Sequence, residues 1–188
     1  MAPNSVVLIV EDERGLAHLY ADWLGAPHTV RVAYDGASAL EQLDDEVDVV
    51  LLDRRMPGLS GDAVLDEIRD RELGCRVAMV TAVDPDFDVV DMGFDDYVVK
   101  PVDQADLTDL VDRLLSLRDY DEELTTFYQL ASKVAALETA KTEDELADSE
   151  EYQRLTDELE RRRESVDASF QSVADFDTKT LIDTDGDS

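Results

Sequence analysis

Between residues 5 and 117, short apolar runs of strand length alternate with longer stretches in which apolar residues recur every three or four positions. A strand buried on both faces reads as a continuous apolar run, and an amphipathic helix as a 3.6-residue period. The alternation therefore predicts repeated βα units around a parallel sheet. Five units are legible, with strands at 6–10 (VVLIV), 29–33 (TVRVA), 48–52 (DVVLL), 76–80 (RVAMV) and 96–99 (DYVV), and a helix after each. The first helix carries Leu16, Leu19, Tyr20, Trp23 and Leu24 at helical spacing, and the last carries Leu107, Leu110, Val111, Leu114 and Leu115.

The strands are unequal. Those at 6–10, 48–52 and 76–80 read as central, whereas the second admits Arg31 in its middle and the fifth is short and begins with polar residues. Both of these read as edges. The flavodoxin-like order 2-1-3-4-5 of a doubly wound α/β sheet puts those two strands at its edges. After residue 117 the rhythm stops. Tyr120, Leu124, Phe127, Ala131 and Val134 form a narrow apolar stripe on one long helix, and Tyr152, Leu155 and Leu159 mark a second. Thr142 and Glu145 have capping-box spacing, and Glu150 with Arg154 and Glu158 with Arg162 are i,i+4 pairs. The chain thus divides into a (βα)5 domain at 1–118, an α-helical hairpin or coiled coil at 119–165, and an acidic, disordered tail at 166–188.

Composition narrows the function. The 188 residues are 44% hydrophobic, enough for a real core, but 47 acidic side chains face 17 basic ones, a formal net charge of −30. Residues 1–118 hold 26 acidic and 10 basic groups and residues 119–188 hold 21 and 7, so the charge belongs to the whole chain. Nucleic-acid or lipid binding through an overall positive field is excluded, though a local basic patch is not. Only four basic residues are lysines, and Lys100 is the sole one before Lys133. That pattern resembles cytosolic proteins of salt-loving archaea. At about 1 M salt the screening length is about 3 Å, so the acidity reads as a solubility device more than a statement about partners. A lone Cys75 excludes an internal disulfide and, with two separated histidines, a typical structural zinc site. No apolar stretch approaches the roughly 18 residues that span a bilayer, and residues 1–5 show no leader pattern. A cytoplasmic protein with no membrane partner is expected.

In a doubly wound sheet all strands deliver their C-terminal ends to one rim, where ligands bind. Those ends are Glu11, Asp12 and Glu13, then Asp53, then Thr81 and Ala82, then Lys100 and Pro101. Alone, Glu11 and Asp12 would be helix-start carboxylates and Asp53 a turn residue. Together they are clustered carboxylates in need of a cation, and Asp53 closes a buried apolar run, an unusual place for an idle charge. Oxygen ligands without histidine or thiolate point to a hard ion, and few carboxylates with room for phosphate favour Mg2+ over Ca2+. Lys100 supplies a positive charge for phosphoryl oxygens, Thr81 a donor, and an Asp53 oxygen a nucleophile that yields an acyl phosphate.

Four motifs, VLIVEDE, LLDRRMPGLSG, VTA at 80–82 and DDYVVKP, stand in that order at the predicted strand ends. On them, residues 5–117 resemble the receiver domains of two-component response regulators. The resemblance implies that Asp53 accepts a phosphoryl group from a phosphohistidine of a sensor histidine kinase. It implies Mg2+ held by Glu11, Asp12, Asp53 and the backbone carbonyl of Arg55. Lys100 would pair with the phosphate, Thr81 would move to bond it, and small Ala82 would leave it room. Tyr97 reads either as an edge-strand aromatic or as a switch whose ring turns inward, and the Lys100-Pro101 bond as cis. Arg55 and Val83 occupy variable positions where a bulky cation and an apolar group are expected to slow autodephosphorylation. Phe94 stands where a small residue is usual, and no role is assigned to it.

The later segments LRDYDEELTTFYQLASKVAALE and SEEYQRLTDELE resemble the HalX module that follows receivers in haloarchaea. The resulting expectation is a phosphorylation-controlled switch, not an enzyme beyond self-phosphorylation and autodephosphorylation. Its C-terminal helices would signal to a downstream protein or form a homodimer. A transcription regulator whose helical module binds DNA is the alternative, although no helix-turn-helix pattern is present and the Arg161 to Arg163 run is flanked by glutamates. A Mg2+-dependent aspartyl-nucleophile phosphatase is disfavoured, because Asp53 is followed by Arg54 and Arg55 where a D-x-D arrangement is needed.

Overall fold

The computed structural model describes residues 5–117 and 122–170. Its elements are β1 (Val6–Val10), α1 (Arg14–Leu24), β2 (Thr29–Ala33), α2 (Gly36–Gln42), β3 (Val47–Leu52), α3 (Gly61–Asp70) and β4 (Arg76–Thr81). A 3-10 segment (Phe87–Asp91) and β5 (Asp96–Val99) follow, then α4 (Gln104–Ser116), α5 (Glu122–Ala140), α6 (Glu143–Ala147) and α7 (Glu150–Phe170). The five strands are parallel in the order β2-β1-β3-β4-β5, as the strand patterns predict.

Alternate residues of each central strand feed opposite faces. Val7, Ile9, Val49, Leu51, Ala78 and Val80 pack with α1 and α4 on one side. Leu8, Val10, Val50, Leu52, Val77 and Met79 pack with α2 and α3 on the other. Every β3 position is buried, which is why that strand reads as an unbroken apolar run. Each fully buried aliphatic side chain contributes about 1.5–3 kcal/mol, so the two faces carry the fold. Arg31 on edge strand β2 turns outward to Asp44 and Glu46.

Three expectations are corrected. No α-helix follows β4. Pro85 lacks an N–H and biases Asp84 away from helical backbone, while Asp86 accepts from the Phe87 N–H and closes only a short 3-10 turn before Gly93. The sheet face left bare there is covered by the C-terminal hairpin, whose Val134, Leu137 and Leu155 share one core with Val89, Phe94 and Tyr97. The capping box of Thr142 and Glu145 starts the short α6, not the second long helix. That helix starts at Ser149, whose Oγ accepts from the Tyr152 N–H at 3.1 Å. Finally, α7 continues to Phe170, beyond the boundary at 165, because no glycine or proline interrupts 150–170.

Smaller differences follow from packing. Leu19 is 42% exposed, so α1 buries Ala17, Tyr20 and Leu24. On α5 the most buried residues are Thr125, Lys133, Val134 and Leu137, whereas Leu124, Phe127 and Ala131 are half-buried. Tyr120 and most of the 166–188 tail lie outside the described residues. Among the described residues no helix is long and apolar enough to cross a membrane.

Candidate functional site

Strand register assembles the rim. Val10 pairs with Leu52, and the Asp53 N–H donates to the Val10 carbonyl at 2.9 Å, so Glu11 and Asp12 emerge beside Asp53. Thr81 pairs with Val99, and the Lys100 N–H donates to the Thr81 carbonyl at 2.8 Å, which brings the lysine to the same end. The Lys100-Pro101 bond is cis, as expected. The loop after Asp53 owes its path to two glycines. Gly58 adopts φ +80°, and a Cβ on Gly61 would lie 2.1 Å from the Asp53 carbonyl oxygen. The LSG at the end of the motif is therefore a steric requirement of α3 starting against the end of β3.

Carboxylate oxygens of Glu11, Asp12 and Asp53 lie within 4.8 Å of one another. Lys100 Nζ bridges two of these groups, 2.5 Å from Glu11 Oε2 and 2.9 Å from Asp53 Oδ2. Asp53 Oδ1 accepts from the Arg55 N–H at 3.2 Å, and Glu11 Oε1 from the Glu13 N–H at 3.1 Å. Burial pushes the Glu11 carboxyl above its ordinary pKa despite the Lys100 hydrogen bond. Burial alone would lower the Lys100 ammonium, but its bonds to Glu11 and Asp53 outweigh that and raise its pKa. The arrangement is thus a half-buried cation shared by two anions, with Asp12 exposed and without a hydrogen-bond or ion partner among the described residues. Three hard oxygen donors with one lone acceptor side fit a small divalent cation.

Thr81 is buried, and its Oγ1 accepts from the Val83 N–H at 3.3 Å instead of joining the carboxylates. Tyr97 is buried too. Its ring packs on Phe94 with centroids 5.4 Å apart, and its hydroxyl donates to the Val83 carbonyl at 2.8 Å, so the aromatic is turned inward toward the β4 loop. Phe94, without a role on sequence grounds, is a fully buried core residue.

Sequence reasoning missed two groups. Arg54 pairs with Asp62 and Asp88 and reaches the Tyr97 hydroxyl, lining a groove of about 1150 Å³ beside the rim. At the opposite end of β5, Asp95 accepts from Arg69, Arg76, Gln129 and the Val77 N–H. Next to it, Asp96 accepts from Tyr128, Ser132, Arg113 and the Tyr97 N–H. Gln129, Tyr128 and Ser132 belong to α5, so this carboxylate pair fastens the hairpin to the sheet. Burial and the nearby Asp96 carboxylate push the Tyr128 hydroxyl upward. A doubled aspartate at the start of an apolar strand was the available signal.

Comparison with known proteins agrees with this geometry. Residues 7–112 match the response regulator receiver domain family, and residues 116–182 match the HalX domain. A Haloferax volcanii protein named as a transcriptional regulator is 45% identical over 172 residues, covering 91% of this chain and 29% of that protein. The transcriptional regulatory protein CpxR of Klebsiella pneumoniae is 36% identical over 124 residues, covering 64% and 53%. The chain thus spans under a third of the first relative and about half of the second. Among solved structures, the response regulator TrrA of Thermotoga maritima, in complex with Mg2+ and BeF, superposes with TM-score 0.52 at 30% identity. It covers 59% of this chain and 99% of that one. With the receiver match extending over more than half of its residues, the chain belongs to the response regulator receiver domain family and carries a HalX domain behind it.

Proposed function

We propose that the protein is a response regulator of a two-component phosphorelay, in which Asp53 accepts a phosphoryl group from a phosphohistidine of a sensor histidine kinase. One observation carries this reading: Lys100 Nζ bridges Glu11 and Asp53 at a rim where Asp12 has no partner among the described residues. An Asp53 oxygen attacks phosphorus and the O–P bond forms as the N–P bond breaks. The N–P electron pair returns to the imidazole, which takes a proton from solvent. Lys100 pairs with the phosphoryl oxygens, and Thr81 turns its hydroxyl from the Val83 N–H toward them while Tyr97 holds the inward position it already has.

Glu11, Asp12 and Asp53, with the backbone carbonyl of Arg55, would hold Mg2+, and the three-carboxylate donor set fits that ion. When bound, the ion neutralises charge on the phosphoryl oxygens. The Mg2+ complex of Thermotoga TrrA supports the assignment. Incubation with Mg2+ and a small acyl phosphate, followed by intact mass, tests it. Wild type is expected to gain one phosphoryl group and Asp53→Asn none, and an unmodified, folded wild type refutes the reading. Arg55→Ala and Val83→Ala are expected to shorten the half-life of the phospho-form.

The boundaries we propose are a receiver at 1–118, a HalX-type helical module from 119, and an acidic tail whose start moves past Phe170. Output runs through α5–α7 to a downstream protein, to DNA or to a second copy. The relatives named as transcriptional regulators keep a transcriptional target as the alternative to a protein partner or a second copy. A labelled-promoter titration at high potassium, with and without phosphodonor, decides whether the module itself binds DNA.

A further inference from the structure

The 3-10 segment Phe87–Asp91 is gripped from two sides. From the rim comes Arg54, the residue after Asp53, whose side chain is 12% exposed. Its Nε lies 3.0 Å from Asp62 Oδ1 at the start of α3, and its Nη2 donates to Asp88 within the segment. From the hairpin come Lys133 and Lys141. Lys133 Nζ donates to the Val90 carbonyl at 2.9 Å with Phe94 beneath it, and Lys141 Nζ pairs with Asp86 at 3.0 Å with its ammonium over Phe87. Val89, wholly buried, seats the segment in the same core as Val134, Leu137 and Leu155.

Two features show that these grips decide where the segment lies. Its own turn is a single short 3-10 stretch with bonds such as those from the Val89 N–H to the Asp86 carbonyl and from the Met92 N–H to the Val89 carbonyl, so neighbours fix its position. The chain also has only four lysines; of the three described, one sits on Asp53 and both others sit on this segment or its flank. In a chain so poor in lysine, the amines of Lys133 on α5 and of Lys141 just after it mark the seat of the hairpin, as Lys100 marks the rim.

We propose that Arg54 is a positioning residue. It holds the 3-10 segment against the loop that follows Asp53 and so sets the seat of the α5–α7 hairpin, and the hairpin reads a phosphoryl group on Asp53 through this segment. The proposal rests on Asp53 being the phosphoacceptor. Arg54 is covalently next to that residue, so any shift of the loop is delivered to Asp88 by one side chain. Lysine would replace it only in part, because the planar guanidinium serves Asp62 and Asp88 at once.

The test uses the full chain in concentrated potassium chloride, with and without Mg2+ and acetyl phosphate. Intact mass reports acyl phosphate, and amide hydrogen exchange reports segments 87–91 and 128–141. Without phosphodonor, Arg54→Ala is expected to speed exchange in both segments at least about fivefold, and Arg54→Lys to fall between it and wild type. With phosphodonor, Arg54→Ala is expected to reach wild-type phosphoryl occupancy, while the change at 128–141 falls below about a third of the wild-type change. Asp88→Asn opens the same clamp from its exposed end and is expected to behave alike, which keeps the test open should Arg54→Ala fold poorly. A wild-type response at 128–141 in either variant, or unchanged exchange in both segments without donor, overturns the proposal. Absence of phosphoryl mass on wild type instead refutes Asp53 as acceptor and with it the readout, while the donor-free arm still judges the clamp.

Discussion

Two acidic clusters lie at opposite ends of the sheet, and their difference separates chemistry from architecture. At the rim, Glu11 and Asp53 share a single cation, Lys100, and Asp12 beside them has no partner among the described residues. At the foot of β5, Asp95 and Asp96 each accept four hydrogen bonds, from arginines, α5 side chains and backbone N–H groups. Burial is similar in kind, so burial alone does not identify a site. A buried carboxylate with its lone pairs filled is a fastener, whereas crowded carboxylates short of donors are poised for a ligand. On this chain the fastener joins the two modules and the unfilled cluster faces solvent at the switch point.

The largest expected effect separates the two outright. Asp53→Asn is expected to abolish acyl-phosphate formation, read by intact mass, while leaving the urea midpoint close to wild type. Asp95→Ala is expected to do the reverse. Removing a carboxylate that is 0% exposed strands Gln129, the Val77 N–H and two arginines, at a loss of about 3–5 kcal/mol in urea unfolding, with Asp53 still phosphorylated. An Asp95→Ala protein as stable as wild type would break the comparison.

Much of the rim was legible from sequence because topology does the work there. Asp53 and Lys100 stand at strand ends, a parallel sheet sends those ends to one edge, and two apolar runs sufficed to place them. The fastener was not legible, since Asp96 meets Ser132 across 36 positions and Asp95 meets Gln129 across 34, and no period links an edge strand to a later helix. Nor was the 3-10 segment, because Phe87, Val89, Val90 and Met92 supply the apolar content of a helix. Pro85 and Gly93 were the contrary signals, but they show their weight only when α5 is seen filling the space. Lysine scarcity was applied to Lys100 and holds equally for Lys133 and Lys141.

A smaller effect concerns the unfilled cluster and pH. Burial raises the folded pKa of Glu11 above the ordinary 4.5, so in the metal-free fold its contribution is fullest below that value and is lost as pH rises through the folded pKa. Mg2+ requires the ionised group, so it should restore stability over the same window, by about 2.7 kcal/mol at a hundredfold excess over Kd. Urea unfolding from pH 4 to 8, in EDTA and in Mg2+, is expected to show this opposition in wild type. In Glu11→Gln the metal effect is expected to shrink and the pH component to vanish from the difference. Lys100 works in another range, since its raised pKa keeps its contribution below 10.5 and loses it only above. A wild-type chain whose Mg2+ response grows toward acid pH would contradict the assignment of Glu11.

The smallest effect comes from a third kind of acidic contact, which calibrates the other two. On the far edge of the sheet, Arg31 meets Asp44 and Glu46, whose side chains are 51% and 75% exposed. Such pairs lie in solvent and are screened within a few ångströms in concentrated salt, whereas a pair sealed in the core is screened far less. Arg31→Ala is therefore expected to leave the urea midpoint nearly unmoved at high potassium, and to move it only as the salt is lowered. The loss from Asp95→Ala should persist across the same titration. If the two substitutions followed salt in parallel, the Asp95 and Asp96 cluster would be a surface network like that of Arg31, and the hairpin would be held by its apolar contacts and its lysine grips on the 3-10 segment. Divergent salt profiles would instead show that a chain of net charge −30 holds its two modules together with carboxylates that the solvent does not reach.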